Sequence, residues 1–183
     1  MKPEQMTLFS GASRGAEAEF GRWAEHYGIE EVNYSFDGHA HERTRGLHAL
    51  SREELIKGDV SLHYVSRLLS RNYTQKGETF RKVLQTLFHI VNNAREVFVV
   101  GEIEPDRTVK GGTGWGAEFA KICNKRLHAY DQKQGGWFRW EPEQWKPEPS
   151  PVIREAHFAG LGTRYLEDSG RTAIETLYKA TLG

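Results

Sequence analysis

Three short segments hold residue types that suit an anionic ligand: residues 10–15 (SGASRG), 111–116 (GGTGWG) and 160–164 (GLGTR). Each follows a stretch that reads as a strand and leads into one that reads as a helix. Glycine lets the backbone come close to a ligand, and the first N–H groups of a helix are free to bind an anion. Arg14 and Arg164 can grip a phosphate with two parallel hydrogen bonds. The candidate binding residues are Ser10, Gly11, Ser13, Arg14 and Gly15 in the first turn. Lys110, Gly111, Gly112, Thr113, Gly114 and Trp115 follow in the second, and Gly160, Gly162, Thr163 and Arg164 in the third. The competing reading is that the glycines only make tight turns. Three such turns, two with an arginine, favour a nucleotide-like site. None is a Walker A loop, because no Gly-Lys-Ser/Thr closes it. The spacing of Gly111, Gly112, Gly114 and Gly116 also differs from the dinucleotide fingerprint.

Other residues could add chemistry. Asp131-Gln132 end a further strand at the same sheet edge, as Asp37 and His39 do, and either pair can reach a ribose hydroxyl. Trp115, Trp137, Phe138 and Trp140 offer rings that stack on a base or fill a minor core. His39, His41 and His48, with Asp37 and Glu42, match no zinc spacing and read as a polar lip or a solvated loop. Arg43 and Arg45 read as solvated. Cys123 reads as a buried thiol.

Hydrophobic periodicity places these residues on elements. Residues 7–10 read as a strand, 16–27 as a helix with Phe20, Trp23, Ala24 and Tyr27 in register, and 31–36 as a parallel strand. Residues 37–50 are polar and glycine-broken, hence a loop. Ser51-Arg52-Glu53-Glu54 is a capping box opening a short helix. Asp59 caps another to about Arg71, and a longer helix follows Thr74 or Gly77 to Val91. Residues 96–101 (EVFVVG) form the unbroken apolar run of a strand buried on both faces. A helix over 117–124 and a strand over 127–130 come next. Residues 135–151, rich in tryptophan and proline, read as an aromatic flap or hairpin and an extended connector. A strand over 156–160 and a helix over 169–180 close the chain. The alternation predicts one Rossmann-like domain over 1–183, an open, mostly parallel sheet with helices on both faces.

Composition narrows the partners. The 183 residues carry 25 Lys+Arg and 25 Asp+Glu, so the formal net charge is zero, which argues against a polybasic nucleic-acid footprint. No apolar run approaches the ~18 residues of a membrane span, and the start, MKPEQMTLF, has no signal-peptide h-region. A single cysteine excludes an internal disulfide. A cytoplasmic protein without metal or cofactor is expected.

Two glycine segments resemble a known group. Val109-Lys110-Gly111-Gly112-Thr113-Gly114-Trp115-Gly116-Ala117-Glu118 is similar to the Pro-Gly-Gly-x-Gly-Thr-x-x-Glu motif of the Lonely-guy (LOG) phosphoribohydrolases. Lys110 stands at the proline and Trp115 at the threonine. Residues 9–17 (FSGASRGAE) resemble the Ser-Gly-Gly-Ala-x-Gly-x-Asp loop of the wider SLOG superfamily. Arg71-Asn72 resembles the Arg-Asn of its DprA group. The Gly-Thr-Arg segment, first in DprA-like chains, is here at residues 162–164, so the order resembles a circularly permuted SLOG domain. That permuted group includes proteins labelled molybdenum-cofactor carriers. The resemblance implies a sensor, carrier or sequestering protein for a nucleotide or nucleotide-derived molecule, working as a homo-oligomer. Alternatively it implies N-glycosidic cleavage of a nucleoside monophosphate, with Glu118 as catalytic carboxylate and Arg71 or Arg81 beside it. Such a carboxylate could stabilise an oxocarbenium-like centre or activate water. Asn72 joins the binding residues on the same ground. DprA-like DNA binding is disfavoured, because a neutral chain offers little to neutralise phosphates.

Overall fold

A computed structural model describes residues 1–74 and 77–183. The order is β1 (Thr7–Ser10), α1 (Ala16–His26), β2 (Glu30–Ser35), β3 (Leu47–Ala49), α2 (Arg52–Ile56), α3 (Asp59–Leu69), α4 (Glu78–Asn93) and β4 (Glu96–Gly101). Then come α5 (Thr113–Ile122), β5 (Arg126–Asp131), β6 (Gly136–Glu141), β7 (Gln144–Glu148), β8 (His157–Gly162) and α6 (Asp168–Leu182). One 8-stranded sheet runs β3-β2-β1-β8-β4-β5-β6-β7. Pairing is parallel from β3 through to β5, and β6 and β7 add an antiparallel hairpin. This is the open, mostly parallel α/β sheet that the alternation of elements predicts. No helix among the described residues is long and apolar enough to cross a membrane.

The central strand shows why the chain folds this way. Val97 and Val99 of β4 enter a core with Leu84, Ile90, Trp115 and Phe119 from α4 and α5. Phe98 and Val100 enter the opposite core with Phe20, Trp23, Ile174 and Leu177 from α1 and α6. A strand covered on both faces needs apolar residues at successive positions, which is the pattern of Val97 to Val100 in β4.

Residues 47–49 and the arginines of the loop after β2 differ from expectation, and of the two readings of residues 135–151 it is the hairpin that forms. Residues 47–49, inside the expected loop, pair with β2 as the edge strand β3. Residues 136–148 continue the sheet through β5, and Trp137 is 6 % exposed against Phe98 and Tyr130. Pro147 is tolerated because β7 is an edge strand, where a missing N–H breaks no ladder. Arg43 and Arg45 are not simply solvated. Both bind the fully buried Glu31 at 2.8 Å, and Arg43 reaches Glu25 as well. That network fastens the loop after β2 onto the sheet.

Asp59 ties the helices on one face together. It accepts hydrogen bonds from Tyr73 Oη at 2.5 Å, Gln85 Nε2 at 2.6 Å and Arg81 Nη2 at 2.8 Å. Burial pushes its carboxyl up, but these bonds outweigh burial and hold it below the ordinary value. The unfolded chain therefore binds the proton more readily than the folded one. Stability from Asp59 is present above its unfolded value, about 3.9, and is lost as pH falls through the lower folded value. Asp59→Asn is expected to weaken the protein near neutrality and to flatten the acid fall of its urea midpoint. An unchanged slope between pH 2 and 5 would show that this cluster contributes nothing to acid sensitivity.

Candidate functional site

The carboxyl ends of β1, β8 and β4 lie side by side in the sheet. The helix after β1 packs on one face and the helix after β4 on the other. Such a switch point leaves a crevice outside the strand ends, where open α/β sheets bind ligands.

The first and third turns are joined there. Ala16 N–H donates to Thr163 O at 3.0 Å. Gly15 has φ +94, and a Cβ on it would lie 2.4 Å from Thr163 O and 2.6 Å from Arg164 Cα. Only glycine fits that conformation and that approach. Arg14 and Arg164 are exposed. Neither forms an ion pair or hydrogen bond among the described residues.

Beneath this loop lies a carboxylate that the sequence reading passed over. Glu17 is 9 % exposed, and its Oε2 accepts the Ser13 N–H at 3.1 Å. Burial pushes the carboxyl up, against the Ser13 hydrogen bonds and the field of Arg164. The signal was present, since Glu17 closes the Ser-Gly segment at the acidic position. His39 crosses over from the loop after β2. Its Nε2 lies 3.4 Å from Ser13 Oγ and its Nδ1 lies 3.1 Å from Ser35 Oγ. The ring stacks on Phe36 with centroids 4.6 Å apart. Burial, helped by His41 and Arg164, holds the imidazole below its ordinary value. Among the described residues no three His, Cys, Asp or Glu side chains gather as a metal site.

The second turn is built differently from its sequence reading. The chain leaves β4, folds back through an Ile103–Val109 bridge and enters α5 at Thr113, four residues before the expected start at 117. Gly114 and Gly116 are thus helical. A Cβ on Gly114 would lie 1.9 Å from Val109 O, and one on Gly116 would lie 2.7 Å from Leu161 Cδ1. These glycines serve close packing. Trp115 is 2 % exposed against Tyr73, so its ring belongs to the core and cannot stack on a base. Gly111, at φ +69, and the following Gly112 and Thr113 remain at the surface as the mouth of α5. Arg71 clamps that mouth from below, donating to Val109 O at 3.2 Å, Gly111 O at 3.0 Å and Thr108 Oγ1 at 3.3 Å. Lys110 pairs with Glu102 at 2.9 Å, which raises the lysine above its ordinary value.

Glu118 and Arg71 are not brought into contact. Glu118 pairs with Lys121 at 3.1 Å, and the Lys121 ammonium lies 3.9 Å from the Trp140 ring centroid. Arg81 is held by Asp59. Several other candidates are engaged by the fold itself. Ser10 Oγ donates to Gly160 O at 2.7 Å. Gly160 and Gly162 lie within β8, pressed against Phe20 and Ala16 of α1. Gly11 covers Glu17, whose Oε2 would lie 2.8 Å from a Cβ there. Thr163 Oγ1 accepts the Tyr165 N–H, and Asn72 Oδ1 accepts from Thr74. Asp131 is 1 % exposed and accepts the N–H groups of Ile103, Lys133 and Gln134, so it holds two turns and does not face a ligand.

The fold class is therefore a Rossmann-like α/β sheet whose switch point carries two uncommitted arginines. Comparison with protein-family models, curated proteins and solved structures finds no match for this chain.

Proposed function

We propose that the chain binds a nucleotide or nucleotide-derived small molecule at the carboxyl edge of β1, β8 and β4, as a sensor, carrier or sequestering protein. The observation that carries this reading is the pair Arg14 and Arg164. They stand exposed at the switch point, and neither side chain makes an ion pair or hydrogen bond among the described residues. An unpaired guanidinium pair there suits a phosphate. A cleft of about 810 Å³ lies next to the loop after β2, lined by Phe36, Asp37, Leu50, Arg52 and Arg81 and not by the two arginines of the turns. Phe36 lines it and backs the His39 ring. The size lies within the range of small-molecule sites. Binding is favoured over N-glycosidic cleavage because Glu118 is already paired with Lys121. The position of β8 beside β1 suits the permuted SLOG resemblance.

A thermal-shift panel of nucleoside monophosphates, cyclic nucleotides and ADP-ribose derivatives tests this. A ligand at 100 times its dissociation constant adds about 2.7 kcal/mol to stability. Gly112→Asp is expected to abolish the shift by setting a carboxylate at the mouth of α5. It should fold, because a Cβ there meets only Phe80 at 3.8 Å. No shift across the panel, or a shift that Gly112→Asp leaves intact, would overturn the proposal.

A further inference from the structure

We propose that Ser13 and His39 form a nucleophile–base pair that hydrolyses an anionic carboxylic ester. The inference rests on the geometry of the pair and not on the nucleotide reading. A serine hydroxyl is a weak nucleophile until a base within hydrogen-bond reach takes its proton and a third group orients that base. All three parts are present. Ser13 Oγ lies 3.4 Å from His39 Nε2, and Ser35 Oγ lies 3.1 Å from Nδ1 on the far side of the ring. In the tautomer where Nδ1–H donates to Ser35, the Nε2 lone pair faces Ser13. Phe36, stacked on the ring at 4.6 Å, fixes its plane. Glu17 accepts the Ser13 N–H and so fixes the serine backbone, and it also lies within reach of the Ser13 hydroxyl, which must turn from Glu17 to His39 for the proton transfer.

The surroundings suit the reaction. Two charged or titratable groups act on His39: His41 from its own loop and Arg164 from the loop after β8; Glu17 from α1 lies behind Ser13. Arg164 favours the neutral, basic imidazole. Ser13 is half-exposed, so substrate can reach it. Arg14 and Gly15, whose N–H groups have no acceptor among the described residues, follow directly and lead into α1. They can serve a developing oxyanion. Arg14 and Arg164 select an ester that carries its own negative charge.

The steps balance without a further reactant except water. Ser13 Oγ bonds to the acyl carbon while its proton moves to His39 Nε2. The tetrahedral oxyanion collapses, the bond to the alkoxy group breaks, and that oxygen takes the proton from His39. Water then attacks the acyl-serine, passing a proton to His39. The Oγ–carbon bond breaks, and Ser13 recovers its proton. The products are a carboxylic acid and an alcohol.

A fluorophosphonate probe tests the pair directly. The expected result is one adduct, on the peptide holding Ser13, absent in Ser13→Ala. Labelling should slow by about 10²-fold or more in His39→Gln, the usual scale of general-base help. Its rate should rise with pH and reach half its maximum below about 6.5, the ordinary histidine value. Hydrolysis of p-nitrophenyl hemisuccinate should exceed that of p-nitrophenyl acetate, and the preference should vanish in Arg164→Ala. Absence of an adduct on Ser13, or a smaller slowing in His39→Gln, overturns the proposal. Either result leaves the thermal-shift test of nucleotide binding untouched.

Discussion

Glu96→Ala is expected to lower the free energy of unfolding by about 2–4 kcal/mol, because it removes the acceptor shared by two backbone N–H groups and the His128 ring. Glu96 opens β4, and its side chain is 0 % exposed. Its Oε2 accepts the N–H groups of Arg154 at 2.7 Å and Glu155 at 3.1 Å. Its Oε1 lies 3.2 Å from His128 Nε2, and His128 Nδ1 lies 2.6 Å from Glu148 on β7. One carboxylate thus holds the start of β4, the middle of β5, the hairpin and the connector that delivers β8. Alanine would leave two part-buried N–H groups without their acceptor, each a penalty of about 1–2 kcal/mol. Urea unfolding measures the total, and amide exchange at Arg154 and Glu155 should quicken well before global unfolding. Glu96→Gln, which keeps one acceptor oxygen, should cost less. A change below about 1 kcal/mol in Glu96→Ala would show that the cluster is not a fastening point.

This cluster marks what could not be read from sequence. Glu96 stands at the edge of an apolar run, His128 within another strand and Glu148 in a proline-rich stretch. The three meet only once the sheet is assembled, across 32 and 20 positions. The strand 96–101 itself was legible, because burial on both faces leaves a local mark. The edge strand β3 left none: Leu47, His48 and Ala49 are all exposed, so no alternation betrays them. At the candidate site the glycine segments were legible as places, but not in their roles. Gly114, Gly116, Gly160 and Gly162 answer to Val109, Leu161, Phe20 and Ala16, partners distant in the chain or on another element. His39 was legible as a polar residue at the end of the second strand, but not as the partner of Ser13, which lies 26 residues away. Arg14 and Arg164 were chosen for their type and position in the turns. The structure adds that they stay uncommitted, while Lys110 and Arg71 do not.

That difference sets the second large effect. The double variant Arg14→Ala, Arg164→Ala is expected to weaken the best ligand of the nucleotide panel by about 10²–10⁴-fold. Each hydrogen bond to a charged group is worth about 1.5–3 kcal/mol, and about 1.4 kcal/mol is tenfold in affinity. The two side chains are exposed and make no ion pair among the described residues, so the ligand-free variant should unfold within about 0.5 kcal/mol of the parent. A loss of affinity then cannot be ascribed to misfolding. Calorimetric titration at two salt concentrations separates the possibilities. If the arginines grip a phosphate, parent affinity falls with salt and the variant loses most of that dependence. Glu17 adds a further signature. The Arg164 field opposes the burial that raises this carboxyl, so removing Arg164 should push it higher still. The buried carboxylate then takes up a proton more readily in the variant, and a carbon-labelled Glu17 would titrate at higher pH than in the parent. Unchanged affinity in the double variant would place the ligand away from the joined turns, because no other uncommitted arginine pair stands at this edge among the described residues.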